Sequence, residues 1–194
     1  MKKILLVLLT FPLIGYGQQT YVPDNNFEAY LEANGMGNGI PNDDYVNTAN
    51  INTVTYLDVY NQNIADLSGI EAFTALTYLD CNSNQLTSLD VSANIALIEL
   101  YCSYNQLDSL NVSQNTALTW LWCSVNQLGS LDVSQNTALT WLWCFGNQLT
   151  SLDVRNGNNT NFVSFKAQNN PNLYCIDVDD ATWSTANWGN IDTW

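Results

Sequence analysis

The chain has 194 residues, 46% of them apolar, which is enough for one domain with a hydrophobic core. Its 18 acidic and 4 basic side chains give a formal net charge of -14, so its surface repels nucleic acids and anionic membranes, which are bound through Lys and Arg. Histidine does not occur in the sequence, which removes the commonest general acid–base group and the commonest metal ligand.

The first predicted element is a signal peptide over residues 1–17. Lys2 and Lys3 form its positive segment, a mostly apolar stretch runs from Ile4 to Ile14, and small residues precede Gln18. This order is typical of a secretory signal, and the stretch is too short to cross a bilayer. It predicts a secreted or cell-surface protein that is not inserted in the membrane after signal cleavage.

Residues 18–53 are predicted to cap the coils that follow. Asn25 and Glu28 have capping-box spacing, which predicts a short helix that ends near Asn34. A second short helix is expected over residues 43–47. The segment 34–45 has some features of a calcium loop but lacks two of its acidic ligands. We interpret it as a Gly/Asn loop and keep calcium as the alternative.

A repeat of 21 residues fills the middle of the chain. Four copies begin at Ala75, Ala96, Ala117 and Ala138, and a divergent copy stands on either side, so six coils are predicted over residues 54–178. Leu and Cys alternate within the copies, as in a strand with one buried face. One coil buries its apolar edge only against its neighbours, and the strands are therefore expected to form one parallel sheet.

The pattern of each copy, L-x-x-L-x-C-x-x-N-x-L-x-x-L-x-V, resembles the leucine-rich-repeat signature. The resemblance implies an α/β solenoid, the leucine-rich-repeat horseshoe, with a parallel sheet on the concave side and turns, extended or 3-10 segments on the convex side. The N-terminal segment is similar to the short helical caps of internalin-like bacterial proteins. The whole chain resembles secreted repeat proteins of Bacteroidetes, and its repeats carry a column of cysteines.

Two columns of the repeat are interpreted as structural. In the family the repeat asparagine binds backbone groups of adjoining coils, a role that the resemblance implies for Asn84, Asn105, Asn126 and Asn147. Zinc sites use more closely spaced ligands, and adjacent rungs hold side chains too far apart for a disulfide. We therefore predict buried free thiols at Cys81, Cys102, Cys123 and Cys144. Cys175 lies outside this column, and we predict that its partner is missing.

Residues 179–194 are predicted to be an incomplete C-terminal cap. They contain Trp183, Trp188 and Ile191, whereas a solenoid end needs a polar cap. In the similar Bacteroidetes proteins this stretch continues to a further cysteine and often to a sorting domain. The resemblance therefore implies that the sequence is a fragment of a longer chain.

The outward positions of the predicted sheet are the candidate site. The core does not require aromatic residues there, and contiguous exposed aromatic patches usually mark an interface. The alternative is cross-strand stacking that only stabilises the sheet. We predict a ligand-binding concave face with an acidic rim, formed by Trp120, Trp122, Trp141, Trp143, Tyr101, Phe145, Tyr78, Tyr56, Asp58, Asp80 and Glu99.

These patterns predict a binding module for a protein or a carbohydrate, with no catalytic role, no cofactor and no bound metal. The sequence contains no visible nucleophile–base pair or metal-ligand set. Asp90, Asp132 and Asp153 form a column on the return side and are interpreted as turn residues, with calcium as the alternative. A structural spacer or a self-associating adhesin is the second hypothesis for the whole chain.

Overall fold

The N-terminal segment folds into a small cap that covers the first coil. The computed structural model describes residues 17–189, so Ile191 and the predicted signal peptide, apart from Gly17, lie outside the described residues. Two strands of the cap pair antiparallel. Its elements are β1 (Gln19–Tyr21), α1 (Asn25–Ala33), β2 (Tyr45–Asn47) and α2 (Thr48–Ile51).

Helix α1 begins after Asp24, whose carboxylate accepts hydrogen bonds from the N–H groups of Asn26 and Phe27 at 2.9 and 3.0 Å. The capping residue therefore precedes the predicted Asn25 by one position, because Asp24 is the residue with extended backbone geometry. Its other oxygen accepts from the N–H groups of residues 65 and 66 in the first coil. One carboxylate thus begins the helix and joins the cap to the solenoid.

The predicted second helix over residues 43–47 is wrong, because this segment leads into β2. Asn42 and Asp44 have positive φ angles of 60° and 64°, which a right-handed helix does not contain. The Asp43 carboxylate accepts a hydrogen bond from the N–H of Tyr45, which closes a turn at the start of the strand. The short helix α2 follows the strand instead.

The repeats fold into a solenoid whose main sheet has six parallel strands, one from each coil and arranged in the order of the coils. The middle residue of each strand, Leu in five strands and Phe165 in the last, is at most 5% exposed. The predicted α/β solenoid of six coils is confirmed. The strands of the solenoid are β3 (Tyr56–Asp58), β4 (Tyr78–Asp80), β5 (Glu99–Tyr101), β6 (Trp120–Trp122), β7 (Ser130–Asp132), β8 (Trp141–Trp143), β9 (Ser151–Asp153), β10 (Ser164–Lys166) and β11 (Ile176–Asp177).

The return segments of the last coils form a second, smaller parallel sheet in the order β11-β9-β7. Leu131 pairs with Leu152 there, and 3-10 turns occupy Ile70–Ala72 and Asn159–Asn161. Extended and 3-10 return segments are therefore confirmed. Their pairing into a sheet was not predicted, because each Ser-Leu-Asp triplet is too short to show the alternation of a strand.

The four column cysteines lie in the continuous core beneath the main sheet and are free thiols with no exposed surface. Burial raises the pKa of each thiol, that of Cys123 to about 12, so the thiols stay protonated at neutral pH. The prediction of buried free thiols is confirmed. Cys175 is also a free thiol, but it is exposed.

The asparagine column forms a ladder of hydrogen bonds between coils. The side-chain oxygen of Asn126 accepts from the N–H of Leu107 at 3.0 Å, and its amide group donates to the carbonyl groups of Cys102 and Cys123 at 3.0 and 3.2 Å. The implied structural role is confirmed by the same pattern at Asn84, Asn105, Asn147 and Asn170.

A second asparagine ladder lies on the return side and was not predicted. Asn94, Asn115 and Asn136 have no exposed surface. The amide group of Asn115 donates to the carbonyl groups of Val91 and Asn94 in the preceding coil at 2.9 and 3.0 Å, and that of Asn136 donates in the same way to Val112 and Asn115. Their regular 21-residue spacing was a signal for this ladder in the sequence.

The C-terminal end of the described core is covered by α3 (Ala181–Asn187) and the residue after it. The Asp180 carboxylate caps the helix by accepting from the N–H groups of Thr182 and Trp183. The ring of Trp188 lies 4.3 Å from that of Phe165, centroid to centroid. An apolar side chain thus shields the last strand of the main sheet.

Candidate binding face

The aromatic face is the outward surface of the main sheet and contains all the predicted site residues. In-register pairing aligns the residues before each inward side chain in a first row: Tyr56, Tyr78, Glu99, Trp120, Trp141 and Ser164. The residues after it form a second row: Asp58, Asp80, Tyr101, Trp122, Trp143 and Lys166. Phe145 borders Trp122 and Trp143 at the edge of these rows. That this face binds a ligand stays a prediction.

The four tryptophans of the face form the predicted two-by-two block, and they stack along the rows. Trp120 and Trp141 lie 4.5 Å apart at 13°, and Trp122 and Trp143 lie 4.1 Å apart at 5°, between ring centroids and ring planes. These separations follow the spacing of neighbouring strands, about 4.8 Å. The stacked rings cover much of one another's flat faces and are only partly exposed.

The last tryptophan of the second row is held by the neighbouring strand. The indole N–H of Trp143 donates to the hydroxyl of Ser164 at 2.9 Å, and the Lys166 ammonium lies 3.7 Å from the centroid of the Trp143 ring, a cation–π contact. Trp122 has no such acceptor, since Trp141 occupies the position that corresponds to Ser164, and its buried N–H has no hydrogen-bond partner among the described residues.

Tyr101 is less available to a ligand than the sequence predicts. Its side chain is 8% exposed, and its ring meets that of Trp122 edge to face at 4.8 Å and 88°. Its hydroxyl donates to the Glu99 carboxylate. Burial, with the adjacent Glu99, raises the pKa of the Tyr101 hydroxyl. Tyr101 therefore joins the tryptophan block to the acidic end of the face and remains neutral.

The N-terminal end of the face carries paired aspartates on adjacent strands. Asp58 and Asp80 are opposite each other in β3 and β4, and they accept hydrogen bonds from the N–H groups of Tyr60 and Asn82, two residues further along. Burial raises the pKa of Asp80, and the neighbouring Asp58 charge adds to this, against the lowering effect of the Asn82 N–H. The two carboxylates are thus neighbours of like charge, and neither neutralises the other.

Two tyrosine rings lie beside this aspartate pair. Tyr56 and Tyr78, each two residues before an aspartate, stack at 4.3 Å and 14° between centroids and planes. Burial raises the pKa of Tyr30, on helix α1 of the cap, and the charges of Asp58 and Tyr56 raise it further. Tyr56 is 58% exposed. Sequence reasoning missed Tyr30, because no spacing rule connects the cap helix with the repeat.

A cavity of about 210 Å³ opens where the strands end, beside the second row of the face. Its neutral lining includes Asn82, Ser103, Tyr104, Trp122 and Phe145. Tyr104 and Val125, one coil apart, have positive φ angles of 57° and 54°, a conformation that costs energy for residues other than glycine. Backbone strain is thus concentrated along this edge.

Between residues 17 and 189, no group of three or more His, Cys, Asp or Glu side chains is close enough to hold a metal ion. Within the same residues, no helix has the length and apolar character needed to cross a membrane.

Comparison with known proteins finds similarity to leucine-rich-repeat proteins of bacteria. A family model described as leucine-rich repeats in two copies matches residues 52–94. Internalin J of Listeria monocytogenes is 38% identical over 74 residues, which are 38% of this chain and 8% of internalin J. The chain thus spans a small part of that curated relative.

Solved structures share the solenoid. The functional domain of InlJ from Listeria monocytogenes, which includes a cysteine ladder, superposes with a TM-score of 0.70 and 36% identity over 84% of this chain and 38% of that domain. A leucine-rich-repeat protein of Leptospira interrogans gives a TM-score of 0.62 and 25% identity over 74% of this chain and 38% of its own. InlF of Listeria monocytogenes, at 20% identity and a TM-score of 0.57, shares the fold over 81% of this chain and 56% of its own.

Proposed function

We propose that this chain, an internalin-like leucine-rich-repeat protein, is a secreted or cell-surface binding module whose aromatic face contacts a protein partner. The observation that carries the proposal is the run of outward-facing rings across five of the six strands of the main sheet, of which only that of Tyr101 is buried. Tyr and Trp are enriched in protein interfaces, and a contiguous aromatic patch of this kind is uncommon on a surface without a partner.

The stacking of the rings favours a protein over a carbohydrate. A sugar ring binds best against an open aromatic face, whereas the stacked Trp122 and Trp143 cover each other and Lys166 lies over the Trp143 ring. A face composed of ring edges, hydroxyl groups and carboxylates suits the mixed surface of a protein. Carbohydrate recognition is the alternative, and the same experiment separates the two.

Parallel arrays of purified extracellular protein domains and of glycans test this proposal. The informative variant is Trp120→Ser with Trp141→Ser, which removes the stacked tryptophan pair of the first row. The matched control is Ile95→Ser, since Ile95 is 64% exposed and lies outside the strands of the face. We expect protein domains that bind the unchanged chain and the control but not the double variant, with circular dichroism showing that all three are folded.

Three other outcomes would contradict the proposal. Glycan signals that disappear in the double variant would indicate a carbohydrate-binding face. Mass that rises with concentration in light scattering, and falls in the double variant, would indicate self-association. Absence of all binding, with a lower midpoint of unfolding in the double variant, would indicate that the rings only stabilise the sheet.

A further inference from the structure

The tyrosine–aspartate seat is the cluster of Asp58 and Asp80 with Tyr56 and Tyr78 at the N-terminal end of the aromatic face. It places two carboxylates on adjacent strands, with two stacked tyrosine rings beside them on the same strands. Carboxylates and aromatic rings are the groups with which proteins hold cationic side chains. The chemistry of the seat therefore points to a positively charged group.

No cation of the described chain occupies the seat. Arg155 and Lys166 are the two basic residues between residues 17 and 189. Arg155 pairs with Asp153 and lies near Asp177, and Lys166 lies over Trp143 at the other end of the face. Each seat aspartate accepts a hydrogen bond from a backbone N–H through one of its oxygen atoms, so the other oxygen of each carboxylate is left to accept from a partner.

The opposite end of the face shows how a cation is held on this surface. The Lys166 ammonium lies 3.7 Å from the centre of the Trp143 ring, with β10 supplying the lysine and β8 the tryptophan. A planar guanidinium makes the same contact with a tyrosine ring and also bonds carboxylates with two N–H groups. In the seat both types of acceptor are present, whereas Trp143 offers only the ring.

A second copy of this chain does not fit the seat. The net charge of -14 makes two copies repel each other, and both basic residues between residues 17 and 189 are engaged within their own chain. Charge complementarity instead selects a partner whose contact surface is basic.

We propose that the tyrosine–aspartate seat receives an arginine or lysine side chain of the partner protein. This inference rests on the proposed function, because it assigns the chemistry of the partner to one end of the same face. The partner would dock with its basic residue toward β3 and β4 and with neutral or acidic groups toward Lys166. The seat thus sets the orientation of the bound protein as well as its charge.

A random dodecapeptide library displayed on phage tests the seat directly. The library is selected on the unchanged protein, on Asp58→Asn with Asp80→Asn, and on a control, Asp90→Asn with Asp132→Asn. Both pairs remove two charges, and all four aspartates accept a backbone N–H two residues along, which asparagine also accepts. The control pair lies away from the aromatic face, on the return side of the solenoid, where both aspartates are exposed.

We expect Arg and Lys to be enriched in peptides selected on the unchanged protein and on the control, but not on the seat variant. A selected peptide should lose affinity about tenfold on the seat variant, as expected for loss of charge-assisted hydrogen bonds. Replacing its arginine by citrulline, which keeps the shape without the charge, should cause a similar loss on the unchanged protein and little loss on the seat variant.

Equal loss on both double variants would overturn the proposal, because general attraction to an acidic protein would explain it. Selected peptides without basic enrichment, whose binding is lost in the Trp120→Ser, Trp141→Ser variant, would overturn the seat but leave the proposed function standing. Binding unaffected by changes in the seat or in the tryptophans, or no selected peptide at all, would contradict the proposed function itself.

Discussion

Replacing Asn126 by alanine tests whether the asparagine ladder holds the coils together. The side-chain oxygen of Asn126 accepts the hydrogen bond of the Leu107 N–H, and both residues are buried. An orphaned buried N–H costs about 1–3 kcal/mol, and each lost hydrogen bond to the carbonyl groups of Cys102 and Cys123 about 0.5–1.5 kcal/mol. Because these carbonyl groups keep bonds from other ladder asparagines, we expect a total loss of about 3 kcal/mol in the free energy of unfolding.

Equilibrium unfolding in urea, followed by circular dichroism, measures this loss. The control is Gln127→Ala, since the exposed Gln127 side chain is next in sequence, and such a surface change is expected to stay within about 0.5 kcal/mol. A loss below about 1 kcal/mol for Asn126→Ala, with an unchanged dependence on urea, would show that water or backbone movement replaces the ladder and would refute the reasoning.

Other predictions address strain, charge and the thiols. Val125→Gly should raise the free energy of unfolding by about 1 kcal/mol, because glycine adopts a positive φ without strain, as Gly146 does one coil later. Val125→Ala keeps the strained backbone, so an equal gain in that variant would contradict this reason. Because the pKa of Asp80 is raised in the folded protein, its contribution to stability is lost as pH rises through that pKa. Asp80→Asn should therefore increase the melting temperature at neutral pH and by less in acid. A gain independent of pH would argue against a charge effect. Of the five cysteines, only Cys175 should react with Ellman's reagent in the native protein, and all five after denaturation; native labelling of column thiols would show that the core opens.

The sequence was sufficient to predict the solenoid because its information is periodic. The 21-residue offset places Leu79, Leu100 and Leu121 on successive strands, and every outward residue follows from the register. Two features without a periodic signal were mispredicted or missed. The N-cap of α1 is Asp24 rather than Asn25, because several neighbouring residues are good caps. Positive φ angles beside Asp43 are incompatible with the predicted second helix, and a strand follows instead.

The candidate site was predictable as a set of residues but not in its exposure or its completeness. The same register that brings Trp122 and Trp143 together also makes them cover each other, so the identity of outward residues does not give the surface that a partner meets. Tyr101 is buried by contacts with Tyr78 and Trp122. Tyr30 of the cap interacts electrostatically with Asp58 of the first coil, and only the packing of cap against coil brings the two into range.

The asparagine ladder also gives the solenoid a direction. The side-chain oxygen of Asn105 accepts from the N–H of Leu86, and that of Asn126 accepts from the N–H of Leu107. Each of these coils is therefore completed by a residue of the coil after it. A chain that folds from its N-terminus therefore completes each coil only when the next coil has formed. The coil formed last has an N–H group that still lacks its asparagine acceptor, and the loss of a coil removes such an acceptor from the coil before it rather than from the coil after it.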